Sequence, residues 1–256
     1  MRGFSVFKVY SNELKRDMEI SVSLPENHDT SLKRYPVLYM TDGQNLFDDS
    51  LAAYGKSWGI LTAYENEKQL PNLIIVGISS NEERSNELVP YQFSFDGETK
   101  KWGGKANLFL EFITNNLIPY IDTHYKSIPS SEQRGMMGSS FGGLFSTYAA
   151  LEYSTYFTRF GCVSNAYYPT LNQLIKDLEK SDLSKIKKFY MDVGTKESSD
   201  QLENKLYLET NRQVYEILQK KLTDKQLKFL IIEGAIHHES AWELRFPAII
   251  KYLFEQ

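Results

Sequence analysis

Apolar residues in this chain fall into two spacings, and the alternation between them sets out the fold. Short uninterrupted runs at 36–41, 73–78, 160–163, 189–193 and 227–232 carry the signature of strands buried on both faces. Between them lie stretches with helical periodicity at 58–67, 107–120, 170–180, 201–221 and 240–254. In the last of these Trp242, Phe246, Ile249, Ile250 and Leu253 share one face. Two looser alternating segments, 4–11 and 17–24, flank the polar bend Asn12-Glu13-Leu14-Lys15 and read as an antiparallel N-terminal hairpin. A buried strand, a helix and another buried strand at 36–78 predict a parallel βαβ unit. The class expected is α/β, with a mostly parallel central sheet and helices on both faces. No repeat, low-complexity segment or linker interrupts the pattern, so residues 1–256 are expected to form one domain.

The segment 80–105 fits neither spacing. It is polar at Asn81-Glu82-Glu83-Arg84-Ser85-Asn86-Glu87, then carries Tyr91, Phe93, Phe95 and Trp102. A loop of this length inside a compact domain usually serves a function. Its aromatics either line a pocket or pin the loop to the core. Arg84 either clasps Glu87 or faces an anionic group of a substrate.

The chemistry centres on Gly138-Ser139-Ser140-Phe141-Gly142, followed by Gly143. A short strand runs into a glycine-rich turn and then into a helix opening with small residues, the context of a G-x-S-x-G nucleophile elbow. Ser140 holds the central position. The same five residues also suit an ordinary strand–turn–helix junction with serine as a helix cap, so the remaining chain has to decide. A serine hydroxyl needs a base to take its proton, and the base needs a third group to fix its tautomer. In an α/β-hydrolase the chain order is Ser, then Asp or Glu, then His. Here Ser140 comes first, Glu197 follows the strand 189–193, and His237 follows the last strand. All three fall beyond carboxyl ends of strands, where open α/β sheets place their sites.

At this point the chain resembles the putative-esterase family of α/β-hydrolases, which includes enterobactin-type siderophore esterases, feruloyl and acetyl-xylan esterases and S-formylglutathione hydrolase. The resemblance covers nearly the whole chain. It rests on Tyr35-Pro36-Val37-Leu38-Tyr39 with Asp42-Gly43-Gln44, on Leu117-Ile118-Pro119-Tyr120-Ile121-Asp122, on the elbow, on Gly194-Thr195-Lys196-Glu197, and on His237-His238-Glu239-Ser240-Ala241-Trp242. It implies Ser140 as nucleophile, His237 as base and Glu197 as acid. His238 competes for the base and is otherwise a rim or capping residue. Asp200 and Asp192 compete for the acid, and some similar siderophore esterases work as Ser–His dyads. The oxyanion donors expected are the backbone N–H groups of Phe141 and Gln44. Arg84, Trp102, Tyr167 and Tyr168 are candidate substrate contacts, the aromatics because rings and sugar faces stack on them.

Composition narrows the partners. The net charge is −4 with both signs scattered, which argues against a nucleic-acid face or a basic membrane patch. The N-terminus lacks a signal-peptide core and no window reaches the ~18 apolar residues of a membrane span, so a cytoplasmic location is expected. Cys162, the one cysteine, sits in an apolar run and reads as a buried structural thiol. Four scattered histidines suggest no zinc site, His28 reading as a solvated loop residue and His124 as a helix-end cap. No metal or organic cofactor is expected. The expected partner is a small-molecule ester, and a homo-oligomer is compatible with the composition. Two other functions use the same site: a non-catalytic binding protein of this fold, and an acyltransferase or thioesterase.

Overall fold

A computed structural model describes residues 2–94 and 99–255; Phe95 lies outside the described residues. The strands are β1 (Phe4–Ser11), β2 (Arg16–Ser23), β3 (Val37–Thr41), β4 (Ile74–Ile78), β5 (Arg134–Ser139), β6 (Arg159–Val163), β7 (Lys188–Lys196) and β8 (Leu227–Ile236). They form one eight-stranded sheet in the order β1-β2-β4-β3-β5-β6-β7-β8. The β1–β2 and β2–β4 pairs are antiparallel and the rest parallel. The helices are α1 (Ile60–Asn66), α2 (Arg84–Leu88), α3 (Ala106–Phe112), α4 (Ile118–His124), α5 (Phe141–Glu152), α6 (Leu171–Lys180), α7 (Gln201–Leu218), α8 (Glu239–Glu243) and α9 (Phe246–Phe254).

The continuous apolar runs are explained by burial on both faces. Along β3, Val37 and Tyr39 enter one core cluster while Leu38 and Met40 enter the other. Along β4, Ile74, Val76 and Ile78 oppose Ile75 in the same way. This is the two-residue period of a strand with helices on either side. One cluster takes Phe109 and Phe112 of α3, Phe145 of α5, Leu174 of α6 and Val214 of α7. The other takes Ile60 of α1, Trp242 of α8 and Phe246, Ile249, Ile250 and Leu253 of α9.

Several boundaries differ from the sequence pattern. β7 continues through Gly194 and Thr195 to Lys196, with a register shift against β8 between Gly194 and Lys196. β8 runs on to Ile236. The closing helix is two helices, because Pro247 starts α9 afresh at its first turn. The stretch between α3 and α4 is π-helical over Ile113–Leu117. His28 is buried rather than solvated: its loop folds back so that Nε2 accepts the Lys126 backbone N–H at 3.1 Å beside the Tyr35 and Tyr125 rings. His124 ends α4 with Nδ1 2.8 Å from the Tyr120 carbonyl. Cys162 is fully buried, and burial pushes its thiol pKa up to about 12. Among the described residues no helix is long and apolar enough to cross a membrane.

Candidate active site

β5 ends at Ser139 and α5 begins at Phe141, so Ser140 alone makes the turn, with φ 60° and ψ −123°. A non-glycine residue there is strained, and such strain gathers at functional sites. Ser140 makes no side-chain capping bond to α5, which removes the reading of it as a cap. The turn is held through backbone: Ser140 N–H donates to the Val163 carbonyl, and its own carbonyl accepts from Gly143, Leu144 and Ala166. The glycines around it are needed for close approach. A Cβ on Gly138 would meet Gly142 C and O at 2.7 Å and overlap Thr41 Oγ1. Phe141 is the first residue of α5, so its N–H has no acceptor within the helix.

Ser140 lines a cavity of about 340 Å³ with Asp42, Gln44, Arg84, His237, His238 and Glu239 among its walls. A larger hollow of about 500 Å³, near Arg2 and Tyr64, takes in none of Ser140, His237 and Glu197. His237 follows β8 immediately, and Glu197 follows β7. The register of these adjacent strands brings the two side chains together: His237 Nδ1 lies 2.7 Å from Glu197 Oε2. An ionised carboxylate can only accept, so Nδ1 carries the proton of this bond, and in a neutral imidazole Nε2 is then the acceptor. The imidazole is held between two rings, Tyr207 at 5.1 Å and Trp242 at 5.2 Å. The Glu197 side chain has no solvent exposure. Burial alone would raise its pKa, but the His237 hydrogen bond and charge, the Ser164 hydroxyl and the Gly194 N–H outweigh it and hold the carboxyl below its usual value.

The competitors have other partners. His238 caps α8, its side chain accepting from the Ser240 N–H. Asp200 caps α7, accepting from the Glu203 N–H at 2.8 Å. Asp192 is fully buried and accepts from Arg245 Nη1 at 2.7 Å, Ser164 N–H at 3.0 Å and the Tyr190 hydroxyl at 2.8 Å.

The expected substrate contacts divide. Arg84 lines the cavity but does not clasp Glu87, which pairs with Arg16 at 2.6 Å. Instead, Arg84 Nε and Nη2 donate to the two Asp42 carboxylate oxygens at 2.6 and 2.8 Å. Tyr167, Tyr168 and Trp102 do not line this cavity. Tyr167 is wholly buried, its hydroxyl 2.7 Å from Thr147 Oγ1. Tyr168 gives its hydroxyl to Glu203 and borders a separate hollow. Trp102 packs against the core and pairs with Phe93, which meets the Phe141 ring at 5.7 Å. These aromatics of 80–105 pin the segment to the core. The cavity wall takes the rings of Trp242 and Tyr54; Tyr54 is 74% exposed and lies 6.5 Å from the His238 ring. It belongs to a stretch with neither strand nor helix periodicity, which leaves no signal to read. Asn45 and Glu239 are also in the wall, and nothing in their sequence neighbourhoods assigns them a role there. Among the described residues no group of three or more His, Cys, Asp or Glu side chains is placed to hold a metal ion.

The sequence profile of the family described as "Putative esterase" matches residues 11–253. A protein of Bacillus subtilis (strain 168) described as uncharacterized protein YbbA is 28% identical over 238 residues, spanning 90% of each chain. Among solved structures, the IroE-like serine hydrolase from Shewanella oneidensis superposes with a TM-score of 0.79 at 22% identity, covering 99% of this chain and 80% of that one. The BES protein from Bacillus cereus gives 0.74 at 20% identity, covering 98% and 94%. At these identities the structural likenesses speak to the fold, which is that of the α/β-hydrolases.

Proposed function

This chain belongs to the putative-esterase family, and from that premise we propose that it is a serine carboxylesterase acting on a small-molecule ester through a Ser140–His237–Glu197 triad, with residues 1–256 as one catalytic domain. The observation that carries the reading is the 2.7 Å contact between Glu197 and His237, a histidine that lines one cavity with the strained Ser140. In the reaction His237 Nε2 takes the hydroxyl proton as Ser140 Oγ attacks the ester carbonyl. The oxyanion that forms is met by the N–H groups of Phe141 and Gln44. His237 passes its proton to the departing alcohol, leaving an acyl-enzyme on Ser140. Water, activated by the same imidazole, then releases the acid and restores the serine. Glu197 stays ionised throughout and stabilises the imidazolium. These steps call for no metal or organic cofactor.

The test is hydrolysis of short p-nitrophenyl esters by wild type, Ser140→Ala and His237→Ala, together with covalent labelling by a fluorophosphonate probe. Wild type should turn over and label at Ser140, and both variants should lose several orders of magnitude in rate. A wild type that neither hydrolyses nor labels points instead to a binding protein on this fold.

A further inference from the structure

The turn 42–45, which carries the Gln44 N–H, is held in a costly conformation. Asp42 follows β3 directly and sits in the left-handed region at φ 56° and ψ 48°. That region is uncommon for a non-glycine residue and persists where the surrounding structure holds it. Gly43 is packed so tightly on β4 that a Cβ would stand 2.7 Å from Gly77 C and Ile78 N. The Asn45 N–H closes the turn on the Asp42 carbonyl at 2.9 Å, and Gln44 Oε1 accepts from the Ser80 N–H at 3.0 Å.

Both ends of this turn are gripped by side chains from distant parts of the chain. Arg84, from α2, holds the Asp42 carboxylate with two hydrogen bonds. The planar guanidinium fixes the orientation of the carboxylate as well as its position. At the other end Asn45 Nδ2 donates to Glu239 Oε1 at 2.9 Å, while Asn45 Oδ1 accepts from the Ala53 N–H. Glu239 is 2% exposed, and among the described residues it forms no ion pair. A buried carboxylate without a cationic partner is costly. Its placement two residues after His237 ties the loop of the base to the turn of the oxyanion donor.

Resting on the esterase reading above, we propose that Arg84 and Glu239 are positioning residues that clamp the turn 42–45 so that the Gln44 N–H is aimed at the developing oxyanion. Neither touches the reacting atoms. Oxyanion donors act only when preorganised, and a small displacement forfeits much of their effect. The clamp therefore sets kcat and leaves ground-state binding nearly untouched.

The experiment measures kcat and KM on p-nitrophenyl acetate, a neutral ester that offers Arg84 no anionic group to bind, and inhibition by a small boronic acid that forms a tetrahedral adduct on Ser140. Arg84→Met and Glu239→Ala should lower kcat by about tenfold to a hundredfold, with KM within about twofold and boronate affinity falling in step with kcat. Arg84→Lys and Glu239→Gln keep a donor or an acceptor in place and should recover most of the rate. Because Arg84→Met strands a buried carboxylate, the double variant Asp42→Asn/Arg84→Met is measured beside it. It should regain thermal stability but remain slow. Wild-type kcat and boronate affinity in the double variant would overturn the clamp, as would a rise in KM with kcat unchanged. Failure of the esterase reading looks different: the wild type itself is inert and Ser140 is unlabelled.

Discussion

His237 Nδ1 and Glu197 Oε2 lie 2.7 Å apart, from residues at the ends of neighbouring parallel strands. The contact sets Glu197 apart from Asp200 and Asp192, which bond elsewhere. Glu197→Gln keeps the size of the side chain but can present its amide N–H to the imidazole, favouring the wrong tautomer. It should lower kcat/KM by about 10³- to 10⁴-fold. Asp200→Ala, which removes only a helix cap, should stay within about threefold and lose roughly 1 kcal/mol of stability. Steady-state kinetics of the two variants settle the acid, and equal losses would show that the Glu197 contact has no catalytic weight.

The same contact makes stability depend on pH. The Glu197 carboxyl titrates below its ordinary value in the folded protein, because partners outweigh burial. The unfolded chain then binds more protons than the native one in the acid range, so this contribution rises with pH. It is complete above the ordinary glutamate pKa of about 4.3 and drains away as pH falls through the lower folded value. Urea unfolding of wild type and Glu197→Gln should give a gap that is constant near neutrality and narrows below about pH 4.5. A gap that widens on acidification contradicts the assignment.

The meeting of Glu197 with His237 was legible because each follows a strand that the apolar runs mark, while Ser140 stood out by its glycine-flanked motif, and strand ends converge in an open α/β sheet. Asn45 and Glu239 were not legible. They are far apart in sequence and gain meaning only when the fold brings their side chains within 2.9 Å. The place of the aromatic residues was not legible either: large rings contribute most by burial, so Tyr167 lies inside the core and Trp102 packs partly buried against it. Element ends shifted where β7 and β8 extend each other's pairing beyond their apolar runs.

Tyr167→Phe follows from that burial. The hydroxyl meets Thr147 Oγ1 inside the core, where Thr147 also donates to the Gly143 carbonyl on the elbow helix. Removing it should cost about 1 kcal/mol of stability and leave KM unchanged. Thermal unfolding and KM for an aryl ester, measured together, separate this from a substrate contact, for which KM would rise.

His238 differs from its neighbour in its hydrogen-bond partner rather than in its place. It lines the cavity, yet its side chain caps α8 by accepting from the Ser240 N–H. His238→Ala should keep kcat within about tenfold while losing roughly 1 kcal/mol, and His238→Asn, which also caps, should restore the stability. A variant as inactive as His237→Ala would mean that the base has been assigned to the wrong histidine.

Gly138 tests the geometry of the elbow itself. It lies in β5 two residues before Ser140, with Gly142 of α5 packed across from it. A Cβ would stand 2.7 Å from Gly142 C and O, and neither of these backbone atoms can turn aside as a side chain can. Relief requires β5 and α5 to separate, which moves the nucleophile and the first N–H of the helix together. Gly138→Ala should therefore cost about 3 kcal/mol or more of stability and reduce kcat as well. Gly3→Ala, at a position with no atom within 4 Å of the added carbon, should change neither. Differential scanning calorimetry and ester hydrolysis on both variants give the answer. If Gly138→Ala matches Gly3→Ala in both, the strand and helix do not approach as closely as this elbow requires.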